Sequence, residues 1–164
     1  MYREGHSGFN ALLYAPVLPI VSHVWSLRLA LVGALVSVGV ANIPDLDQPL
    51  PHIRHRGPTH TVWFAILVGL AAGIGTALLV PESPVAFQFG FLVGTGGILA
   101  HLAGDVVTPM GISPFAPIWR YHVTLEWFKS KNSRINRALL LVGSAALFAS
   151  LLVTIGLSAV VPAS

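Results

Sequence analysis

The sequence predicts an all-α, polytopic membrane helical bundle with four to five transmembrane helices. Three observations carry that prediction. Only 9% of the 164 residues are charged, against roughly 25% in soluble domains. The hydrophobic fraction is 54%, and mean hydropathy is +0.76. The apolar residues gather into long segments separated by short polar blocks, and a membrane-spanning helix needs about 20 of them. A chain of this length and composition makes one membrane-embedded domain over residues 1–164. It has no cysteine, which excludes a disulfide framework and a thiolate metal site. Any metal must be held by nitrogen and oxygen.

Taken in order, residues 8–22 are the shortest apolar candidate. Pro16 and Pro19 interrupt the run from Ala11 to Val21 and no small-residue cleavage site follows. The segment therefore reads as a retained short helix or re-entrant segment rather than a signal peptide. Residues 24–43, 61–80, 85–104 and 138–161 are each long and apolar enough to span. The second of these stops before the Pro81-Glu82-Ser83-Pro84 turn. Gly69 and Gly73, like Gly90 and Gly94, repeat four apart, a spacing that lets helices approach closely, although glycine is also simply common in membrane helices. Two stretches are too polar for the bilayer core: residues 44–60, rich in Pro and His, and residues 106–137, which hold most of the basic residues. Trp119, Tyr121, Trp127 and Phe128 suit the second stretch to the membrane interface.

The topology follows from the charges. With the N-terminus on one side and residues 8–22 crossing, alternate spans bring the blocks around Asp45, His60 and Asp105 to the N-terminal side. That side also holds Arg3, Arg54, Arg56, Arg120, Lys129, Lys131, Arg134 and Arg137, with only Arg28 opposite. Eight against one is a strong positive-inside bias, so the shared face is expected to be cytoplasmic.

The polar blocks carry the chemistry. All three aspartates lie in Pro44-Asp45-Leu46-Asp47 and His101-Leu102-Ala103-Gly104-Asp105, with His55-Arg56-Gly57-Pro58-Thr59-His60 between them. An ionised carboxylate near lipid is costly and usually has a partner and a task. His101 and Asp105 are four apart, so one helical face aims both at a common point. His60 stands near the start of its helix, behind Pro58 and Thr59 as first-turn and capping residues. If the 45–47 stretch is extended, Asp45 and Asp47 share a face; if it is turned, one ligates while the other orients a histidine. Mixed imidazole and carboxylate ligation suits Zn²⁺, and also Mn²⁺ or Fe²⁺. Taken singly, each motif has an ordinary alternative: an interfacial hydrogen bond, a turn cap or a helix-end pair. Their combination on one face is what points to a metal.

The order Pro-Asp-x-Asp, His-Arg-Gly-x-Thr-His, then His-x-x-x-Asp followed by Thr108 and Gly111 resembles the metal-dependent hydrolases associated with the inner membrane. That family is also described as LexA-binding and is distantly related to zinc-dependent phospholipase C and nuclease-type enzymes. The resemblance runs from His6 to about Pro117. His6 matches an early Thr-His element in which Gly5 here stands in place of the Thr. What the resemblance implies is a metal-dependent hydrolase with His6, Asp45, His60, His101 and Asp105 as ligands. Asp47 and His55 would be ligands or orienting groups, and the set suffices for one or two ions. Two ions would together stabilise the charge of a phosphoester displacement, with Asp47 or Asp105 as proton acceptor. Arg54 and Arg56 flank the blocks and offer bidentate forks for a phosphate, or alternatively set topology and touch lipid headgroups.

The expected function is a membrane-embedded metal-dependent hydrolase at the cytoplasmic face. It would act on a phosphoester, with phospholipid favoured because a site at headgroup level meets lipid first. The expected partners are membrane lipid and a small phosphoester or lipid substrate, with no nucleic acid. One competing class is a transporter or ion-handling protein, which would place its polar groups near the bilayer midplane. Another is a non-catalytic regulator binding a cytoplasmic partner through residues 106–137.

Overall fold

The computed structural model describes residues 1–48 and 55–160. Its helices are α1 (Arg3–Tyr14), α2 (Val17–Val24), α3 (Leu27–Val40), α4 (Val62–Leu79), α5 (Ala86–Val106) and α6 (Ser133–Val160), with 3-10 turns at Pro44–Asp47 and Pro58–His60. Among the described residues there is no strand, only one antiparallel bridge between Ile112 and Val123. Four stretches are long and apolar enough to span: Leu27–Asp47, Val62–Leu79, Ala86–Val106 and Ser133–Leu157. The all-α membrane bundle is thus the observed fold.

The fifth candidate is two helices. α1 and α2 meet at a bend of 44° and together make one broken span or a re-entrant loop. Proline is the cause. Pro19 has no N–H to give the carbonyl of Ala15, four residues back. The Ser150 hydroxyl on α6 donates to that carbonyl instead, a cross-helix repair that makes a proline tolerable in an apolar setting.

α6 starts at Ser133, five residues before the span expected from hydropathy, because the side chain of Asn132 accepts the Ile135 N–H at 3.3 Å. Its first turns carry Arg134 and Arg137, which an apolar window rejects but a helix tolerates. α4 and α5 share the most extensive interface. Gly69 and Gly73 of α4 lie against the Phe91 and Phe87 carbonyls of α5, and Gly90 and Gly94 lie against Thr76 and Ala72. The glycine repeats are therefore contact surfaces.

The polar blocks converge at one end of this bundle. The turn after α3, the turn before α4, the last two turns of α5 and the first turn of α1 meet there. At the opposite end Arg28 at the start of α3 pairs with Glu82 of the α4–α5 turn at 3.0 Å. Beneath the polar end, Val40, Ala65, Ile98, Leu102 and Ile112 form a small apolar cluster. The 107–132 segment closes over the same end. Its Phe115, Trp119 and Tyr121 rings stack at 5.9 and 5.4 Å and stay exposed, as an interfacial aromatic group does.

Candidate metal centre

Asp45, His60, His101 and Asp105 are buried, and one ligand atom from each lies within 4.8 Å of the others. The His60 and His101 Nε2 atoms stand 3.2 Å apart. Asp105 Oδ2 is 3.3 Å from the first and 3.5 Å from the second, and Asp45 Oδ1 is 3.7 and 3.9 Å from them. A tetrahedron of bonds about 2.0–2.1 Å long has edges of about 3.4 Å, so these separations are close to those of a four-coordinate ion's ligands.

The hydrogen bonds around the cluster fix the tautomers. His101 Nδ1 lies 2.7 Å from the Ala41 carbonyl, an acceptor only, so this nitrogen carries the proton and donates. Thr59 donates its hydroxyl to Asp47 Oδ2 at 2.5 Å, and its oxygen then accepts from His60 Nδ1 at 3.0 Å. In the neutral rings both Nε2 atoms therefore present lone pairs to each other, between two carboxylates. Asp105 Oδ2 is buried without a hydrogen-bond partner. Facing lone pairs beside an unpartnered carboxylate oxygen need a cation or a proton between them. With the protein's own groups alone, burial disfavours the His60 cation, but the nearby carboxylates of Asp105 and Asp45, which a protonated Nε2 faces, outweigh burial and raise its pKa above the ordinary 6.5.

The turned alternative holds for the aspartate pair. In the 3-10 turn Pro44–Asp47, Asp45 faces the four-ligand group while Asp47 takes His55 Nδ1 at 2.8 Å and stands 3.6 Å from His60 Nδ1. Asp47, His55 and His60 form a second, adjoining group with metal-holding geometry. The sequence expectation for Thr59 needs correcting. Thr61 caps α4, accepting the Phe64 N–H at 3.3 Å, which frees Thr59 to link Asp47 to His60.

His6 lies flat on His101, with ring centroids 3.6 Å apart and planes at 15°. Its Nε2 is 3.5 Å from Asp105 Oδ1, and neither ring nitrogen has a hydrogen-bond partner. It adjoins the four-ligand group without being one of the four. Two glycines make this stacking fit. A Cβ on Gly104 would stand 3.2 Å from the His6 ring, and a Cβ on Gly5 would run into the Asn136 side chain. Asn136 accepts the Tyr2 N–H at 3.0 Å and donates to the Ser130 and Asn132 carbonyls, so it ties the start of α1 to α6. The glycine in place of threonine before His6 therefore has a steric reason.

Arg56 turns inward. Its backbone is left-handed, with φ of 60°, a conformation that costs a non-glycine residue about 1–2 kcal/mol. From there its guanidinium donates to Asp105 Oδ1 at 2.8 Å, Thr108 Oγ1 at 3.2 Å and the Gly111 carbonyl at 3.1 Å. Thr108 and Gly111 are the Thr and Gly that follow the last motif, and Gly111 has φ of 54°, which favours glycine. Arg54 lies outside the described residues. The Met1 amine also contacts Asp105 Oδ1. Sequence reasoning missed the Ala41 carbonyl, Asn136 and the linking role of Thr59. A backbone acceptor leaves no residue signal, whereas Thr59 stood in view inside its motif.

The model of one family matches residues 1–162 and is described as YdjM inner membrane protein. The chain belongs to the YdjM inner membrane protein family. That membership agrees with the spanning helices, and the description names no reaction. No curated protein and no solved structure matches the chain.

Proposed function

We propose that this inner membrane protein is a metal-dependent hydrolase whose site opens at the cytoplasmic face and cleaves a phosphoester, phospholipid being the favoured class. The observation that carries the reading is the pair of imidazole lone pairs, 3.2 Å apart and each fixed by an outside partner, set between Asp45 and Asp105. That donor set suits Zn²⁺, with Mn²⁺ or Fe²⁺ as the harder alternatives. Asp45, His60, His101 and Asp105 would hold one ion. His6 would serve as an adjoining ligand, and Asp47 with His55 would hold a second ion or orient His60. When bound, the ion supplies a lowered water pKa and positive charge for the displacement at phosphorus. Asp47 or Asp105 would accept the proton of that water. Arg56, bonded to Asp105, Thr108 and Gly111, holds that carboxylate in place, and it and Arg54 are the arginines proposed to meet a phosphate.

The position of the cluster at helix ends, not midway along them, favours this reading over transport. Gently extracted protein is expected to carry stoichiometric Zn²⁺ or Mn²⁺ that His101→Ala and Asp105→Ala lose, and then to cleave members of a phosphoester and lipid panel. Absence of any transition metal would sink the reading. The cysteine-free chain offers a direct test of sidedness. A single cysteine at Lys131 should label only from the cytoplasm and one at Arg28 only from the other side.

A further inference from the structure

Two cavities adjoin the cluster, and their linings differ in kind. The first, of about 1070 Å³, is lined by Asp45, His55 and Arg56 and also by Arg3, Lys129, Lys131 and Arg137, with Glu4 the only other acidic residue lining it among the described residues. Those four cations are exposed, and among the described residues none is in an ion pair. Arg56, by contrast, already directs its Nη1 and Nη2 donors to Asp105, Thr108 and Gly111. The start of α6 also lines this basin through Ser133, and a helix N-terminus adds positive potential. The second cavity, of about 1160 Å³, runs past Ile112 and Pro117 to Trp63, Phe64 and Leu67 on the first turns of α4. Trp63 and Leu67 are 45% and 61% exposed on a helix apolar enough to span, so the groove's outer end faces lipid. His55, Arg56 and Met110 line both cavities.

We infer that the two cavities are two halves of one site for an anionic lipid. Its phosphate headgroup sits among Arg3, Lys129, Lys131 and Arg137, and its acyl chain enters sideways along Trp63, Phe64 and Leu67. The inference rests on the hydrolase reading and sharpens its substrate. A zwitterionic headgroup brings its own ammonium into a basin of four cations and is disfavoured. A water-soluble phosphoester leaves the groove unfilled and forgoes the burial of its apolar wall. Basic residues near a membrane surface each favour an anionic headgroup by roughly fivefold. The partition of charge and apolar surface on either side of His55 therefore sets selectivity for both ends of the ligand.

The test uses the full chain in neutral detergent, with zinc content measured on every preparation. Three probes are titrated: lysophosphatidic acid, lysophosphatidylcholine with the same chain, and glycerol 3-phosphate. Lysophosphatidic acid is expected to bind at least roughly tenfold tighter than either other probe. The triple variant Lys129→Gln, Lys131→Gln, Arg137→Gln should erase its advantage over lysophosphatidylcholine while keeping its advantage over glycerol 3-phosphate. Leu67→Trp, which fills the groove from a lipid-facing position that a larger side chain tolerates, should do the reverse. Equal binding of all three probes, or preferences unchanged in both variants, overturns the inference. Zinc present without the lipid preference defeats this inference alone, whereas the preference without zinc supports it and defeats the catalytic reading.

Discussion

At one end of the bundle Arg28 and Glu82 pair in the open, 61% and 55% exposed. At the other end Asp45, Asp47 and Asp105 are closed off, together with His6, His60 and His101. The exposed pair joins the start of α3 to the α4–α5 turn and needs nothing from the rest of the chain. In the buried cluster each group depends on several others: Asp105 alone meets Arg56, His6, His60, His101 and the Met1 amine. The difference teaches where a membrane protein tolerates ionisable groups. At a wet helix end a charge is nearly neutral in free energy, whereas out of water it persists only within a fully arranged set.

Asp105→Ala should break that contrast most severely. It strands Arg56 and the buried histidines, so the protein is expected to lose about 3–5 kcal/mol as well as its metal. Thermal unfolding in detergent and metal analysis check both losses. If the variant keeps its melting temperature and its metal, the cluster is no more interdependent than the exposed pair.

Thr59→Val is a finer probe. It removes the hydroxyl that links Asp47 to His60 while touching no ligand atom of the four-residue group. Loss of an orienting group of this kind weakens metal binding by about 10–100-fold, which competition with a chelator reads. Wild-type affinity would mean that His60 is oriented by packing alone.

The response to pH should sharpen the comparison further. Asp105 and Asp45 raise the His60 pKa above 6.5 in the metal-free fold. The stabilisation is therefore complete below about 6.5 and is lost as pH rises through the folded value. Metal binding wants the same imidazole neutral. Metal-free protein is expected to become less stable as pH climbs above 6.5, and zinc-loaded protein more stable over the same window. Melting curves that move in the same direction with and without zinc would remove His60 from the site.

Arg28→Gln should do least. An exposed ion pair contributes at most about 1 kcal/mol, so metal content should not change and the melting temperature should barely move. A large effect there would show the two ends to be coupled through α3.

Much of the cluster was legible in the sequence because its residues are types that an apolar chain uses sparingly. Three aspartates and the histidines of two of the three short blocks, placed by alternate spans on one face, grouped Asp45, Asp47, Asp105, His55, His60 and His101, and in the structure Asp45, His60, His101 and Asp105 lie with one ligand atom each within 4.8 Å of the others. Thr59 was misplaced because Ser and Thr before a helix have two uses, and the cap is the commoner one. The start of α6 was misplaced because hydropathy measures a preference for lipid, not for helix.

The sequence by itself determined the membrane bundle, the number of long spans, and which polar blocks share an end, since each follows from hydrophobic length and from the parity of crossings. Tertiary structure alone decided the tautomers set by Ala41 and Thr59, the inward turn of Arg56 and the stacking of His6 on His101. These depend on backbone carbonyls, a left-handed residue and the close approach allowed by Gly5 and Gly104. Such contacts join segments far apart in the chain through atoms common to every residue, so side-chain pattern carries no record of them.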